Sequence, residues 1–253
     1  MCNTRRSPGR RRAQLLLAAL ATAGIALTGC KSKKQDSGKT DPATAKAVDW
    51  RVQGRVPTQM RMVKPEPTLI AEGKGLYATC SGCHGMDGGG VIGVGPKLNS
   101  ATFQAAASDD MLIRTIEKGR KGTTMVPFGA TYKREQVFAI VAYIRSLKPT
   151  KPAALDEKTL AGDAASGGKL FRDVCSGCHG RNGAGYQETA NGTGIGRWAF
   201  LSNASNGYIR YMVKHGKSGT AMKGFDKRDP TAVANLNNQQ IDDIITYLRK
   251  NAW

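Results

Sequence analysis

The chain is poor in aromatic side chains, in acids and in long apolar runs, and each shortage narrows what it can be. Aromatics make up 6% of 253 residues, too few to pack the cores of two small domains unaided, so a further apolar body is expected inside the fold. Acids number 19 against 38 Lys and Arg, a formal charge of +19, which raises nucleic-acid binding until the position of the charge is considered. The longest apolar run, residues 15–27, is too short for a comfortable membrane span, and 40% hydrophobic with 23% charged residues excludes both a multi-span membrane protein and a typical disordered chain.

Residues 1–29 hold Arg5, Arg6, Arg10, Arg11 and Arg12, no acid, and the apolar run. This is the pattern of a cleaved export signal. Its end, Leu27-Thr28-Gly29-Cys30, resembles the bacterial lipoprotein box, which implies removal of residues 1–29 and a lipid on the Cys30 sulfur. An exported, lipid-anchored protein facing the periplasm or the cell exterior is therefore expected. Loss of five arginines lowers the charge to +14. Residues 30–66 show no helical or strand period and carry nine bases and four acids beyond Cys30, which reads as a flexible, solvated tether.

Six cysteines in an exported chain would ordinarily suggest disulfides. Their spacing points elsewhere. With Cys2 and Cys30 assigned to the signal and the lipid, four remain, as Cys80-Ser81-Gly82-Cys83-His84 and Cys175-Ser176-Gly177-Cys178-His179. C-x-x-C-H is the attachment signature of c-type haem: two thiols two residues apart reach the two vinyl groups on one porphyrin edge, and the next residue delivers an imidazole to the iron. A thiol redox pair needs no histidine there, and a zinc ribbon would not separate its pairs by 95 residues.

The surroundings repeat as well. Gly73 to Tyr77 leads into the first motif and Gly167 to Phe171 into the second, one residue farther from its cysteine. Segment 116–125 aligns with 213–222 at an offset of 97, and segment 136–145 aligns with 240–249. Apolar residues at 137, 140, 141, 144 and at 241, 244, 245, 248 mark one face of an amphipathic helix in each copy. At this point the chain resembles the class I cytochrome c family twice over. The resemblance implies an all-α fold of two tandem domains, residues 67–150 and 157–253, each wrapped around one haem, joined by a Pro-rich linker at 151–156. The haem would supply the apolar body missing from the composition.

The resemblance also implies the remaining site residues. Met125 and Met222, in equivalent loops before the closing helices, are expected to ligate the irons opposite His84 and His179; thioether and imidazole together close an iron to chemistry. Met212 reads as core filler and His215 as a helix-terminal surface residue. Gly93-Val94-Gly95-Pro96 matches the family segment in which a proline carbonyl orients the proximal imidazole, a role carried to Pro96. The second copy has no proline there and a loop two residues longer, which leaves the partner of His179 unassigned.

Two covalently bound haem c groups, with no further histidine, cysteine or carboxylate pair placed by a motif, point to a membrane-tethered electron carrier working between redox partner proteins outside the cytoplasm. The alternatives are an electron-transfer subunit of an oxidoreductase complex, or a di-haem enzyme of the peroxidase or thiosulfate dehydrogenase type with an open iron. Nucleic acid is rejected as a partner because the protein is exported and no nucleic-acid motif appears.

Overall fold

Helix signals recur in both halves of the computed structural model, which describes residues 50–253 apart from Ala190 and Asp229; the expected signal and Cys30 lie outside the described residues. A short α1 (Trp50–Gln53) precedes α2 (Pro67–Leu76), α3 (Ala78–His84), α4 (Ala101–Ala106), α5 (Asp109–Lys118) and α6 (Arg134–Ser146). The second half repeats the order with α7 (Ala164–Leu170), α8 (Ser176–His179), α9 (Trp198–Leu201), α10 (Asn206–His215) and α11 (Asn238–Lys250). Proline suits the first turn of α2, where its missing N–H costs nothing. Ser108 caps α5 by accepting from Met111 N–H at 3.1 Å, and Ser205 caps α10 in the same way from Tyr208 N–H at 3.0 Å. Asn237 and Gln240 form a reciprocal box at the start of α11. Among the described residues extended pairing is confined to an isolated bridge between Val91 and Gly95, so the architecture is all-α. No described helix is long and apolar enough to cross a membrane.

In each half the opening helix crosses the closing one at a glycine. A Cβ on Gly73 would stand 1.9 Å from the Ala139 carbonyl oxygen, and one on Gly167 1.9 Å from that of Asp243. Beside these crossings Tyr77 packs on Tyr143, centroids 5.0 Å apart, and Phe171 on Tyr247 at 5.5 Å. All eight residues of the expected apolar stripes are buried. The additional residue before the second motif is absorbed as a π-turn at Phe171–Cys175, which keeps Phe171 in the core while Cys178 and His179 follow in α8.

The closing helices carry a shared clamp. Arg145 donates to the Asp109 carboxylate (Nε to Oδ1, 2.8 Å) and to the carbonyls of Gln104 and Ala107. Arg249 donates to Asn206 (2.6 Å) and to the carbonyls of Leu201 and Ala204. Charge is lost from the second clamp, but a buried Arg210–Asp242 pair at 2.6 Å lies nearby.

The stretch 50–66, expected as part of a solvated tether, is instead bound to both halves. Val52 carbonyl accepts from Asn206, Gly54 lies against the Ala204 carbonyl, and Met62 and Val63 N–H donate to Asp109 at 2.7 and 2.9 Å. Arg61 reaches the carbonyls of Gln104 and Ala107. These carbonyls and carboxylates flank the clamps, so the segment satisfies the polar groups the helices leave over; hydropathy period does not report such bonding. The linker is docked too: Ala153 N–H donates to the Ala105 carbonyl, and the Asp156 carbonyl accepts from Arg210 of α10 at 2.7 Å.

Contacts between the halves are reciprocal. Asn203 donates to the Met111 carbonyl and Thr115 hydroxyl, both at 3.0 Å, and Ser218 meets Ser100 at 3.0 Å and Thr102 at 2.9 Å. Buried apolar residues of both halves join one continuous cluster.

Candidate functional site

Helix α3 delivers Cys80, Cys83 and His84 to the wall of a cavity of about 300 Å3, where Met125 also lies. Cys80 and Cys83 form no disulfide. Burial, then the neighbouring Cys83 thiol, pushes Cys80 up to about 11, opposite to the lowered pKa that marks a redox-pair thiolate. His84 Nδ1 stands 2.9 Å from the Pro96 carbonyl oxygen. A carbonyl only accepts, so Nδ1 carries the proton and Nε2 keeps its lone pair. Burial holds this imidazole below its ordinary pKa and therefore neutral. Gly95 makes the approach possible: a Cβ there would fall 2.3 Å from the Cys83 carbonyl oxygen.

The second motif has the same geometry on a different loop. Cys175 and Cys178 form no disulfide, and burial lifts Cys175 up to about 12. The partner that the sequence left open is the Thr193 carbonyl, 2.9 Å from His179 Nδ1. Thr193 stands 97 residues after Pro96, and the two residues added to the loop are taken up before it, around a 3-10 turn at Gly185–Gln187. Gly192 repeats the close approach of Gly95, this time to the Cys178 carbonyl. Proline is thus dispensable for the contact, because the group that acts is a backbone carbonyl.

The methionine loops close alike. Arg120 N–H donates to Met125 carbonyl at 2.7 Å and Lys217 N–H to Met222 carbonyl at 2.8 Å, while Thr123 and Thr220 hydroxyls accept from the methionine N–H groups, both at 3.2 Å. Met222 packs partly buried against the core, Met212 lies inside it, and Met86 is exposed. His215 is exposed at the end of α10 with its ring 4.3 Å from Tyr211, well placed for a surface residue.

The donor set fits the porphyrin expected from the motifs. Two thiols and a neutral imidazole with a free Nε2 stand together in each half, and the first cavity is walled by apolar side chains such as Leu98, Phe103, Ile116, Phe128 and Ile140. It also holds Arg120 and Lys217 and no Asp or Glu, a polarity suited to a group that is flat, apolar and edged by carboxylates. Sequence reasoning missed these two cations, although they occupy equivalent places in the aligned segments 116–125 and 213–222.

Residues 68–144 match the family described as cytochrome c oxidase, cbb3-type, subunit III, and residues 164–252 the family described as cytochrome c. The chain is similar to the Cbb3-type cytochrome c oxidase subunit FixP of Bradyrhizobium diazoefficiens, 27% identical over 187 residues that cover 68% of this chain and 61% of the relative. It is also similar to cytochrome c4 of Azotobacter vinelandii, 27% identical over 190 residues covering 71% of this chain and 87% of that one. The subunit CcoP of a Cbb3-type oxidase from Rubrivivax gelatinosus is 31% identical over 184 residues, 72% of this chain and 55% of the relative. The chain therefore spans less than two thirds of the oxidase subunits it matches and most of cytochrome c4.

Proposed function

From the premise that the chain is a tandem of two class I cytochrome c domains with two covalently bound haem c groups, we propose that it is a membrane-tethered carrier passing single electrons between redox partner proteins outside the cytoplasm. Each haem supplies a one-electron couple when bound. Cys80 and Cys83, and Cys175 and Cys178, hold the two groups by thioether bonds, with His84 and Met125 ligating one iron and His179 and Met222 the other. Pro96 and Thr193 orient the imidazoles through their carbonyls. The domains run over residues 67–150 and 157–253.

The observation that carries this reading is the duplication of one closed arrangement. In both halves an imidazole is fixed by a carbonyl at 2.9 Å and a methionine loop is locked by the same two bonds, and no carboxylate is among the residues that line the first cavity. Such a site admits electrons and excludes substrate. The carrier reading requires two low-spin, methionine-ligated irons in the electron paramagnetic resonance spectrum of the oxidised protein. A resting high-spin iron with peroxide turnover would instead make it an enzyme. The tether rests on Cys30: Cys30→Ala should move the protein from the membrane fraction to the soluble one.

The names of the oxidase-subunit relatives favour a second reading, permanent membership of a membrane oxidoreductase complex. Copurification with terminal oxidase activity from detergent-solubilised membranes selects it; elution of the protein alone selects the mobile carrier.

A further inference from the structure

Two cations face the first cavity from opposite halves of the molecule. Arg120 follows α5 and Lys217 follows α10, 97 residues apart at equivalent places in the repeat. Each crosses to the other half: the Arg120 guanidinium lies 5.2 Å from the Phe200 ring centre and Lys217 Nζ 4.9 Å from that of Phe103. Both line the cavity that holds His84 and Met125, together with Tyr208 from the second half. No carboxylate among the described residues pairs with either of them, and none lines the cavity. Aromatic faces give such cations some stabilisation, far less than an anion would.

Electrostatics sharpen the asymmetry. Burial, then Arg120 and Lys97, bring Lys217 down to about 7, and burial likewise lowers Arg120. The charges of both reach His84, whose pKa burial and these two cations lower, whereas burial lowers His179 against the Thr193 carbonyl. Two like charges that line one largely apolar cavity and act on each other are unfavourable unless an anion joins them. Haem c brings two carboxylates on the edge opposite its thioether bonds.

We propose that Lys217, contributed by the second domain, and Arg120 of the first together bind the carboxylates of the first haem, so that the first haem site is complete only when the second domain is docked. This rests on the reading that the first haem lies between His84 and Met125. Lys217 is then a positioning residue that raises the first reduction potential, because a cation beside the group disfavours the more positive ferric form. Ser218, next in the chain, holds the same interface through Ser100 and Thr102 without charge.

The test is a spectroelectrochemical titration of the full-length di-haem protein and its Lys217→Met, Lys217→Arg and Ser218→Ala variants. The wave of the first haem is identified as the one displaced in Met125→His. Lys217→Met should lower the ferrous-to-ferric ratio of that wave about tenfold at fixed poise, about 59 mV for one electron, and shift a carboxylate band in the redox-difference infrared spectrum. Lys217→Arg should restore both, and Ser218→Ala should leave both in place. The inference is overturned by an immobile first wave, by two waves moving together, by a shift that Lys217→Arg retains, or by an equal shift in Ser218→Ala. Covalent haem is counted on the same samples: a wild-type count below two per chain overturns the reading of the site itself, whereas a count of two with an immobile wave overturns this inference alone.

Discussion

Arg145 and Arg249 sit at the same point of the closing helices and turn back on the same short stretch of chain, but the groups they meet differ in charge. Arg145 neutralises Asp109, which is fully buried and also accepts from Met62 and Val63 N–H. Arg249 meets the neutral Asn206 and two carbonyls. Removing Arg145 takes the ion-pair partner from a buried carboxylate and leaves Arg61 as a more distant cation, which costs about 3 kcal/mol. Removing Arg249 leaves unsatisfied neutral acceptors, about 1–3 kcal/mol. Urea denaturation of the haem-loaded protein should therefore rank Arg145→Met as more damaging than Arg249→Met; equal losses would show that the ion pair adds nothing. The two arginines align in the sequence, yet nothing in sequence distinguishes a clamp from a solvated helix end. Pro96 was legible because a proline marks the place, and Thr193 was not, because a backbone carbonyl acceptor has no side-chain signature.

At the level of elements, the crossings of α2 on α6 and α7 on α11 are set by contact at glycine. Gly73→Val would drive a side chain into the Ala139 carbonyl, 1.9 Å from its first carbon, and should cost about 3 kcal/mol or more. Two residues on, a Cβ at Gly75 meets nothing within 4 Å, so Gly75→Ala should stabilise α2 by about 0.5–1 kcal/mol. Thermal denaturation of the pair reads both signs. The π-turn offers a different check. The first half joins Tyr77 to Cys80 with one residue fewer than joins Phe171 to Cys175, so deleting Asp173 should leave two covalent haems per chain; loss of the second would show that the π-turn is needed to aim the cysteines. Sequence carried the helices that pack on themselves, through apolar period and caps, and hinted at the π-turn as a slip of one residue in the repeat. It could not show residues 50–66 bound to both halves, since that segment is held by backbone groups and by polar side chains without a period.

For the whole molecule, the apolar cluster is continuous across both halves, the linker is docked, and residues 50–63 touch the clamp of each. Chains with two independent cores unfold in two steps; one shared core should unfold in one. Absorbance of the haems and far-ultraviolet circular dichroism of the loaded protein should give a single coincident urea transition, and two resolved transitions would mean that the halves are energetically separate. Interlocking has a further consequence for rate. The two iron centres of a beads-on-a-string chain must wait for tumbling to bring them near, and added glycerol lengthens that wait. Here their spacing is frozen into the packing, so internal exchange between them should proceed at the same speed in syrup as in buffer.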